Sequence, residues 1–181
     1  HVYLVGGAIR DQLMGRREAH DLDLALEGNV LQIARRAANR VGAAYYPLDE
    51  ERETARLVFI SEQGTRLVMD FAALRGRNLE EDLRGRDFTI NAIAQNLRQP
   101  DQLIDPLGGA ADLVQKVIRP CSPQAFSDDP IRVLRAVRQA VAFKFRITPD
   151  GLQLMRQAAP LLSRPSPERV RDELYRILGG H

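Results

Sequence analysis

Val5-Gly6-Gly7-Ala8-Ile9-Arg10-Asp11 and, a little further on, His20-Asp21-Leu22-Asp23-Leu24 are the stretches whose reading decides the fold. Residues 2–6 read as an apolar strand, 7–15 as a helix opened by the glycine pair, and 21–26 as a second strand. Strand residues two apart point to the same face, so Asp21 and Asp23 place their carboxylates side by side. Like charges that close repel unless a divalent cation sits between them. Gly6 and Gly7 let the backbone approach a phosphate and present amide donors at a helix N-terminus. Together these parts predict a nucleoside-triphosphate site with magnesium, suited to phosphoryl or nucleotidyl transfer. Each part alone is weak, since a D-x-D is more often a solvated pair and a Gly-Gly a tight turn. Their conjunction across one strand–helix–strand unit is much rarer.

The composition supports a globular protein. A chain of 181 residues holds one full domain and a smaller one, and 44% hydrophobic with 28% charged residues is ordinary for a soluble fold. No apolar run reaches the roughly 18 residues of a membrane span. No signal peptide is visible, although a start at His1-Val2-Tyr3-Leu4 in mid-strand suggests that residues precede it. The single Cys121 excludes an internal disulfide and agrees with a reducing cytoplasm. Net charge is only +2, yet Lys116 and Lys144 are the only lysines among 26 basic residues. Arginine suits bidentate recognition of phosphates and base edges, though a GC-rich genome is the simpler cause of the bias.

Val30, Ile33, Ala34, Ala37 and Val41 recur at helical spacing between Asn29 and Gly42. Strand-like runs follow at 43–48, 55–60 and 66–72, the first two joined by the charged turn Asp49-Glu50-Glu51-Arg52. This order predicts a mixed sheet with helices packed on one side. Helices are expected at 79–86 and 88–94, and short strands at 95–97 and 103–104. Asp105-Pro106-Leu107-Gly108-Gly109 reads as a turn. Beyond Pro120 the pattern is all-helical, with helices at 123–127, 130–143, 149–158 and 167–178, the last capped by Ser166 and opened by Pro167. The domain boundary is placed at 122/123.

Two further groups carry chemistry. In Arg84-Gly85-Arg86-Asp87-Phe88-Thr89-Ile90-Asn91-Ala92, Asp87 and Asn91 would share a helix face, with Phe88 and Ile90 in the core. A helix cap at Asp87 with solvated Arg84 and Arg86 fits the same residues. In Asp128-Asp129-Pro130-Ile131-Arg132-Val133-Leu134-Arg135, Asp129 before Pro130 fits an N-cap, and Asp129 with Arg132 fits a surface pair at i, i+3. The same two residues also complement a base. Cytosine and adenine offer an exocyclic amine donor beside a ring-nitrogen acceptor, and uracil and guanine present the reverse. A carboxylate with a guanidinium would accept CTP and ATP and reject UTP and GTP.

These segments resemble the class II tRNA nucleotidyltransferases, the family of CCA-adding enzymes and bacterial poly(A) polymerases. The likeness runs through Leu4-Val5-Gly6-Gly7, Arg10-Asp11, Asp21-x-Asp23, Leu79-Glu80-Glu81-Asp82-Leu83 and Arg86-Asp87-Phe88-Thr89-Ile90-Asn91-Ala92. It continues in Asp105-Pro106-Leu107-Gly108-Gly109, Asp129-Pro130-x-Arg132-x-x-Arg135 and Pro167-Glu168-Arg169-x-x-x-Glu173-Leu174. The resemblance implies an α/β fold, a polymerase-β-like nucleotidyltransferase head at 1–122 followed by an all-helical neck at 123–181. It implies template-independent addition of CMP and/or AMP from CTP and ATP to a tRNA 3′ end, with poly(A) polymerase as the alternative on the same scaffold.

The resemblance also implies roles. Asp21 and Asp23 would hold two Mg2+ ions, with Asp70 as third catalytic carboxylate. Gly6, Gly7, Arg10, Asn91 and Arg135 would belong to the nucleotide site. Arg86 and Asp87 would contact the ribose, and Asp129 with Arg132 would read the base. Asp105, Gly108 and Gly109 would form a hinge, and Glu168, Arg169 and Glu173 would brace the neck. Partners would be the tRNA 3′ end and the triphosphates, with no membrane and an oligomeric state left open. Asp128 stands where the family more often has Glu, and the domains that grip the tRNA elbow are absent. Between Asp70 and Leu79, only Arg75-Gly76-Arg77-Asn78 stands where many CCA-adding relatives have a longer flexible loop. That loop is implied in the switch from CTP to ATP, so its absence suggests an enzyme that stops at CC or switches by another element.

Overall fold

A computed structural model describes residues 1–16 and 20–179. The chain divides into two compact units, His1–Asp82 with Ile93–Pro106, and Leu83–Ala92 with the chain from Leu107 onward.

The first unit is built on a seven-stranded sheet ordered β3-β4-β5-β2-β1-β6-β7. Its strands are β1 (Val2–Val5), β2 (Asp21–Leu26), β3 (Ala44–Asp49), β4 (Thr54–Ile60), β5 (Arg66–Ala73), β6 (Ala94–Asn96) and β7 (Leu103–Ile104). Only β2 and β5 run parallel; every other neighbouring pair is antiparallel, so the sheet is mixed as expected. Helices α1 (Gly7–Leu13) and α2 (Val30–Val41) supply the connections before and after β2. Asn29 accepts a hydrogen bond from the Gln32 amide at 2.9 Å to start α2, and Gly42 ends it in the left-handed conformation at φ 67°. The apolar stripe of α2, Val30, Ala34 and Ala38, packs on Leu24, Leu26, Ala55, Leu57 and Phe71. These alternate positions of β2, β4 and β5 form one sheet face, which leaves the intervening residues on the other.

After β5 the chain enters α3 (Leu79–Arg84) through a tight connector. Asn78 accepts from the Glu81 amide at 2.9 Å, the Arg75 amide donates to Asp82 at 3.0 Å, and the Arg77 amide donates to Glu81 at 2.9 Å. Gly76 sits at φ 93° with no room for a Cβ, which would meet Glu81 at 2.8 Å.

The second unit contains α4 (Gly109–Gln115), β8 (Val117–Ile118), α5 (Ala125–Asp128), α6 (Ile131–Phe143), β9 (Arg146–Ile147), α7 (Pro149–Ala158) and α8 (Pro167–Leu178). It is helical apart from the two-residue parallel pair of β8 with β9. The helix expected over 88–94 is instead a single 3-10 turn at Thr89–Asn91. Phe88 is extended and bridges to Pro120, and the Thr89 amide donates to the Arg119 carbonyl at 3.0 Å. Ala94 then joins the sheet beside Val5, so no length remains for a helix. Helix α4 follows Gly108, whose φ of 71° lets the chain turn out of the Asp105-Pro106-Leu107 stretch. Thr148 and Ser166 cap α7 and α8, each followed by proline. Among the described residues no helix is long and apolar enough to cross a membrane.

Candidate active site

The carboxylates of the first unit are aligned by strand register. In the parallel pair of β2 with β5, Asp23 stands opposite Asp70, and Asp21 is two residues before Asp23. All three therefore face away from the side covered by α2. Asp21 and Asp23 are exposed and Asp70 is half-buried. Arg56 on β4 stands opposite Asp70 on its other side and forks onto it, Nε at 2.7 Å and Nη2 at 2.8 Å. The hydrogen bond to Asp70 raises the Arg56 guanidinium above its ordinary value despite burial, and the charges of Asp70, Asp21 and Asp23 add to this. Arg56 is a basic group at this face that sequence reasoning missed. Its link to Asp70 depends on pairing across a turn and carries no local signal.

A fit to a hard divalent cation rests on donor chemistry: carboxylate oxygens on adjacent positions of one face are the ligands magnesium prefers. Among the described residues no three His, Cys, Asp or Glu side chains converge as they stand into a metal-holding group. Asp70 is engaged by Arg56.

The glycine turn lies beside this face. Val5 pairs with Asp23, so the chain leaves β1 at Gly6 next to that carboxylate. Gly6 adopts φ 77°, ψ −139°, a conformation essentially confined to glycine. A Cβ on Gly7 would lie 3.2 Å from the Arg10 guanidinium. Arg10 is held in place by a forked pair with Asp11, Nε at 3.0 Å and Nη2 at 2.9 Å.

The other predicted residues belong to the second unit. Asp87, only 7% exposed, has both oxygens engaged within it. Oδ1 accepts from the Phe88 amide at 2.8 Å and the Asn91 amide group at 2.9 Å, and Oδ2 from Arg135 at 2.7 and 3.0 Å. Burial alone would push the Asp87 carboxyl up. Arg135, Asn91 and the Phe88 amide outweigh it and hold the group below the usual range. Asn91 also donates to Gln139 at 3.2 Å. Asp87 and Asn91 thus meet as expected, although across a 3-10 turn. Arg135 lies 3.7 Å from Glu173, which accepts from Arg138 at 2.7 Å and sits 3.7 Å from Arg176. Arg135, Arg169, Arg176 and Glu173 line a cavity of about 190 Å³. A larger apolar groove of about 530 Å³, lined by Leu162, Val170, Leu174 and Leu178, contains none of the predicted residues.

Asp129 and Arg132 form neither the cap nor the ion pair that their spacing allows. Helix α6 has no side-chain cap. Arg132 donates through Nη1 to the carbonyls of Arg86 at 3.1 Å and Ala125 at 3.2 Å, and through Nη2 to Gly85 at 2.8 Å. The Asp129 carboxylate accepts instead from Arg169 Nη2 at 2.8 Å. Arg86 is half-buried, and its carbonyl is one of the anchors of Arg132.

Comparison with known proteins gives a consistent result. Residues 2–119 match the Poly A polymerase head domain, and residues 144–181 match the "Probable RNA and SrmB- binding site of polymerase A". The CC-adding tRNA nucleotidyltransferase of Geobacter sulfurreducens is 46% identical over 97% of this chain and 40% of its own length. The A-adding tRNA nucleotidyltransferase of Deinococcus radiodurans is 44% identical over 97% of this chain and 39% of its own. The Thermotoga maritima CCA-adding enzyme complexed with tRNA superposes with a TM-score of 0.85 at 39% identity, covering 98% of this chain and 42% of that one. The chain spans about two fifths of the length of these relatives.

Proposed function

Because the chain belongs to the Poly A polymerase head-domain family, we propose that it is the nucleotidyl-transferring part of a longer enzyme that adds CMP and/or AMP, without a template, to the 3′ end of tRNA. CTP and ATP are the substrates and the cytoplasm, where tRNA matures, is the place of action. In this reading residues 1–122 act as the head and 123–181 as the neck.

The observation that carries the reading is the placement of Asp21, Asp23 and Asp70 on one sheet face beside the Gly6 turn. Asp21 and Asp23 would hold Mg2+, with Asp70 alongside. Bound there, the metal would supply charge neutralisation for the triphosphate and a lower pKa for the attacking hydroxyl. Gly6 and Gly7 would let phosphate oxygens approach the backbone amides of the turn. Arg10, fixed by Asp11, adds a cation at the same turn. Asp129 supplies an acceptor and Arg132 donors for the pairing edge of cytosine or adenine. Asp87, Asn91 and Arg135 position the polypeptide that carries Arg86 and Arg132, which gives Asp87 a supporting role toward the ribose rather than a free carboxylate.

The test is incubation of the full-length protein with tRNA lacking its 3′ end, with each triphosphate alone and in combination. Incorporation of cytidine or adenosine with exclusion of uridine and guanosine is expected; no incorporation of either overturns the reading. A specific observation favours CC addition over full CCA addition. The connector from β5 to α3 is short and tied down at Arg75, Arg77 and Glu81, so it cannot swing as a long loop. Efficient addition of A to tRNA ending in CC, with ATP alone, overturns the CC-only form.

A further inference from the structure

Two neighbouring tyrosines on the edge strand β3 meet different surroundings. Tyr45 packs against the core that α2 covers, and the Arg35 guanidinium lies 4.0 Å from the centre of its ring. Tyr46 belongs to the opposite face, as strand alternation requires. It is 51% exposed and makes no hydrogen bond or ring contact among the described residues. A bare apolar side chain on an edge strand is a liability that proteins ordinarily avoid.

The strand register connects that ring to the carboxylates. Tyr46 pairs with Arg56, Arg56 with Asp70, Asp70 with Asp23, and Asp23 with Val5, where the glycine turn begins. One row across the sheet therefore runs from an exposed ring, through a cation, to two carboxylates. With strands about 4.8 Å apart, Tyr46 stands roughly 10 Å from Asp70 and roughly 14 Å from Asp23 along this row. Arg56 uses Nε and one N–H of Nη2 on Asp70 and is 42% exposed, so its other donors face solvent. Arg66, four positions before Asp70 on β5, shares the face by alternation. It is exposed and makes no ion pair among the described residues.

The direction of attack decides what this side of the face receives. In the function proposed above, the triphosphate sits at the Gly6 turn, on the β1 side of the carboxylates. Displacement at phosphorus is in line, so the attacking hydroxyl arrives from the side away from the leaving pyrophosphate. In this sheet that side is β5, β4 and β3.

Resting on that reading, we propose that Tyr46 is the stacking platform for the 3′-terminal base of the acceptor RNA, with Arg56 and Arg66 contacting its backbone phosphates. Single-stranded RNA is held in this manner by aromatic rings under the bases and guanidinium groups along the backbone. Stacking tolerates any base, because each has a π face. Such tolerance suits an acceptor whose terminal base changes as nucleotides are added.

The test uses the full-length enzyme with a tRNA acceptor whose terminal nucleotide is intact or abasic, and measures KM for tRNA and for CTP separately. Tyr46→Ala is expected to raise KM for the intact tRNA about tenfold, with KM for CTP and thermal unfolding nearly unchanged. Tyr46→Phe should behave as wild type, since the ring and not the hydroxyl does the stacking. The abasic acceptor should raise KM in wild type by a similar factor and have no further effect in Tyr46→Ala. Arg66→Gln should reduce the salt dependence of tRNA binding by roughly one unit of slope. A rise in KM for CTP in place of that for tRNA, a Tyr46→Phe as weak as Tyr46→Ala, additive effects of the abasic acceptor and Tyr46→Ala, or an unchanged salt slope overturns the proposal. If wild type transfers neither cytidine nor adenosine, the proposed function fails and this inference with it. If wild type transfers and Tyr46→Ala keeps the wild-type KM for tRNA, only the role of Tyr46 falls.

Discussion

Asp87→Asn is the sharpest test of the charged network in the second unit. Asparagine keeps the shape and keeps Oδ1 as acceptor for Phe88 and Asn91, but turns an NH2 toward Arg135 where Oδ2 had accepted two bonds. Breaking a fully buried ion pair costs about 3–5 kcal/mol. Arg135 is 35% exposed and retains Glu173 at 3.7 Å, so part of the loss is recovered from water and from that carboxylate. About 2 kcal/mol is then expected, or a fall on the order of 10 °C in the melting of a unit of this size. Urea and thermal unfolding at pH 7, followed by circular dichroism, would measure it. The pH dependence has a definite sign. The Asp87 carboxyl is held below its ordinary value in the folded chain, so its contribution is complete above the unfolded pKa of about 3.9. It is lost as pH falls through the folded value. The gap between wild type and Asp87→Asn should therefore be flat from about pH 5 to 8 and close below about pH 4. A gap under about 0.5 kcal/mol at pH 7, or one that widens in acid, refutes the assignment.

Asp21→Asn and Asp23→Asn should each abolish nucleotide transfer, while metal-free melting holds or rises because repulsion on the shared face is relieved; near-normal activity in either would sink the metal-binding assignment. Arg56→Gln frees Asp70 and removes a cation that faces Asp21 and Asp23, so Mn2+ binding followed by electron paramagnetic resonance should tighten severalfold. Weaker or unchanged binding would mean that Arg56 does not compete with metal. Gly76→Ala combines a positive φ of 93° with a 2.8 Å contact on Glu81 and should cost roughly 1–3 kcal/mol in urea unfolding. A neutral result would mean that the connector is not held as described.

What was legible in the sequence follows from the range of the signals. The alternation in β2, the helical stripe of α2, its stop at Gly42 and the start of α8 at Ser166-Pro167 are local, and each element lies where its pattern places it. Asp21 and Asp23 share a face because strand geometry alone requires it. The two-residue strands β8 and β9 show no period to read, and the all-helical expectation passes over β9 for that reason. The stretch at 88–94 has a helix-compatible pattern, but the backbone of Arg119 and the sheet partner Val5 determine its conformation. Arg56 and Arg169 escaped notice as partners of Asp70 and Asp129 because those pairs are 14 and 40 residues apart and depend on assembled structure.

The parallel register of β2 on β5 has a further meaning for how this protein tolerates change. The same alignment that sets Asp23 against Asp70 also sets Leu24 against Phe71 beneath α2. The acidic face and the core are two sides of one alignment, and a one-residue slip exchanges them. Insertions or deletions inside β2 would bury the carboxylates under α2 and expose the leucines in one stroke. Length variation in this segment should therefore be eliminated as misfolded protein before it is ever tested as enzyme, whereas point substitutions on the acidic face yield well-folded, inactive chains. A library mixing both kinds of change would separate them by solubility alone.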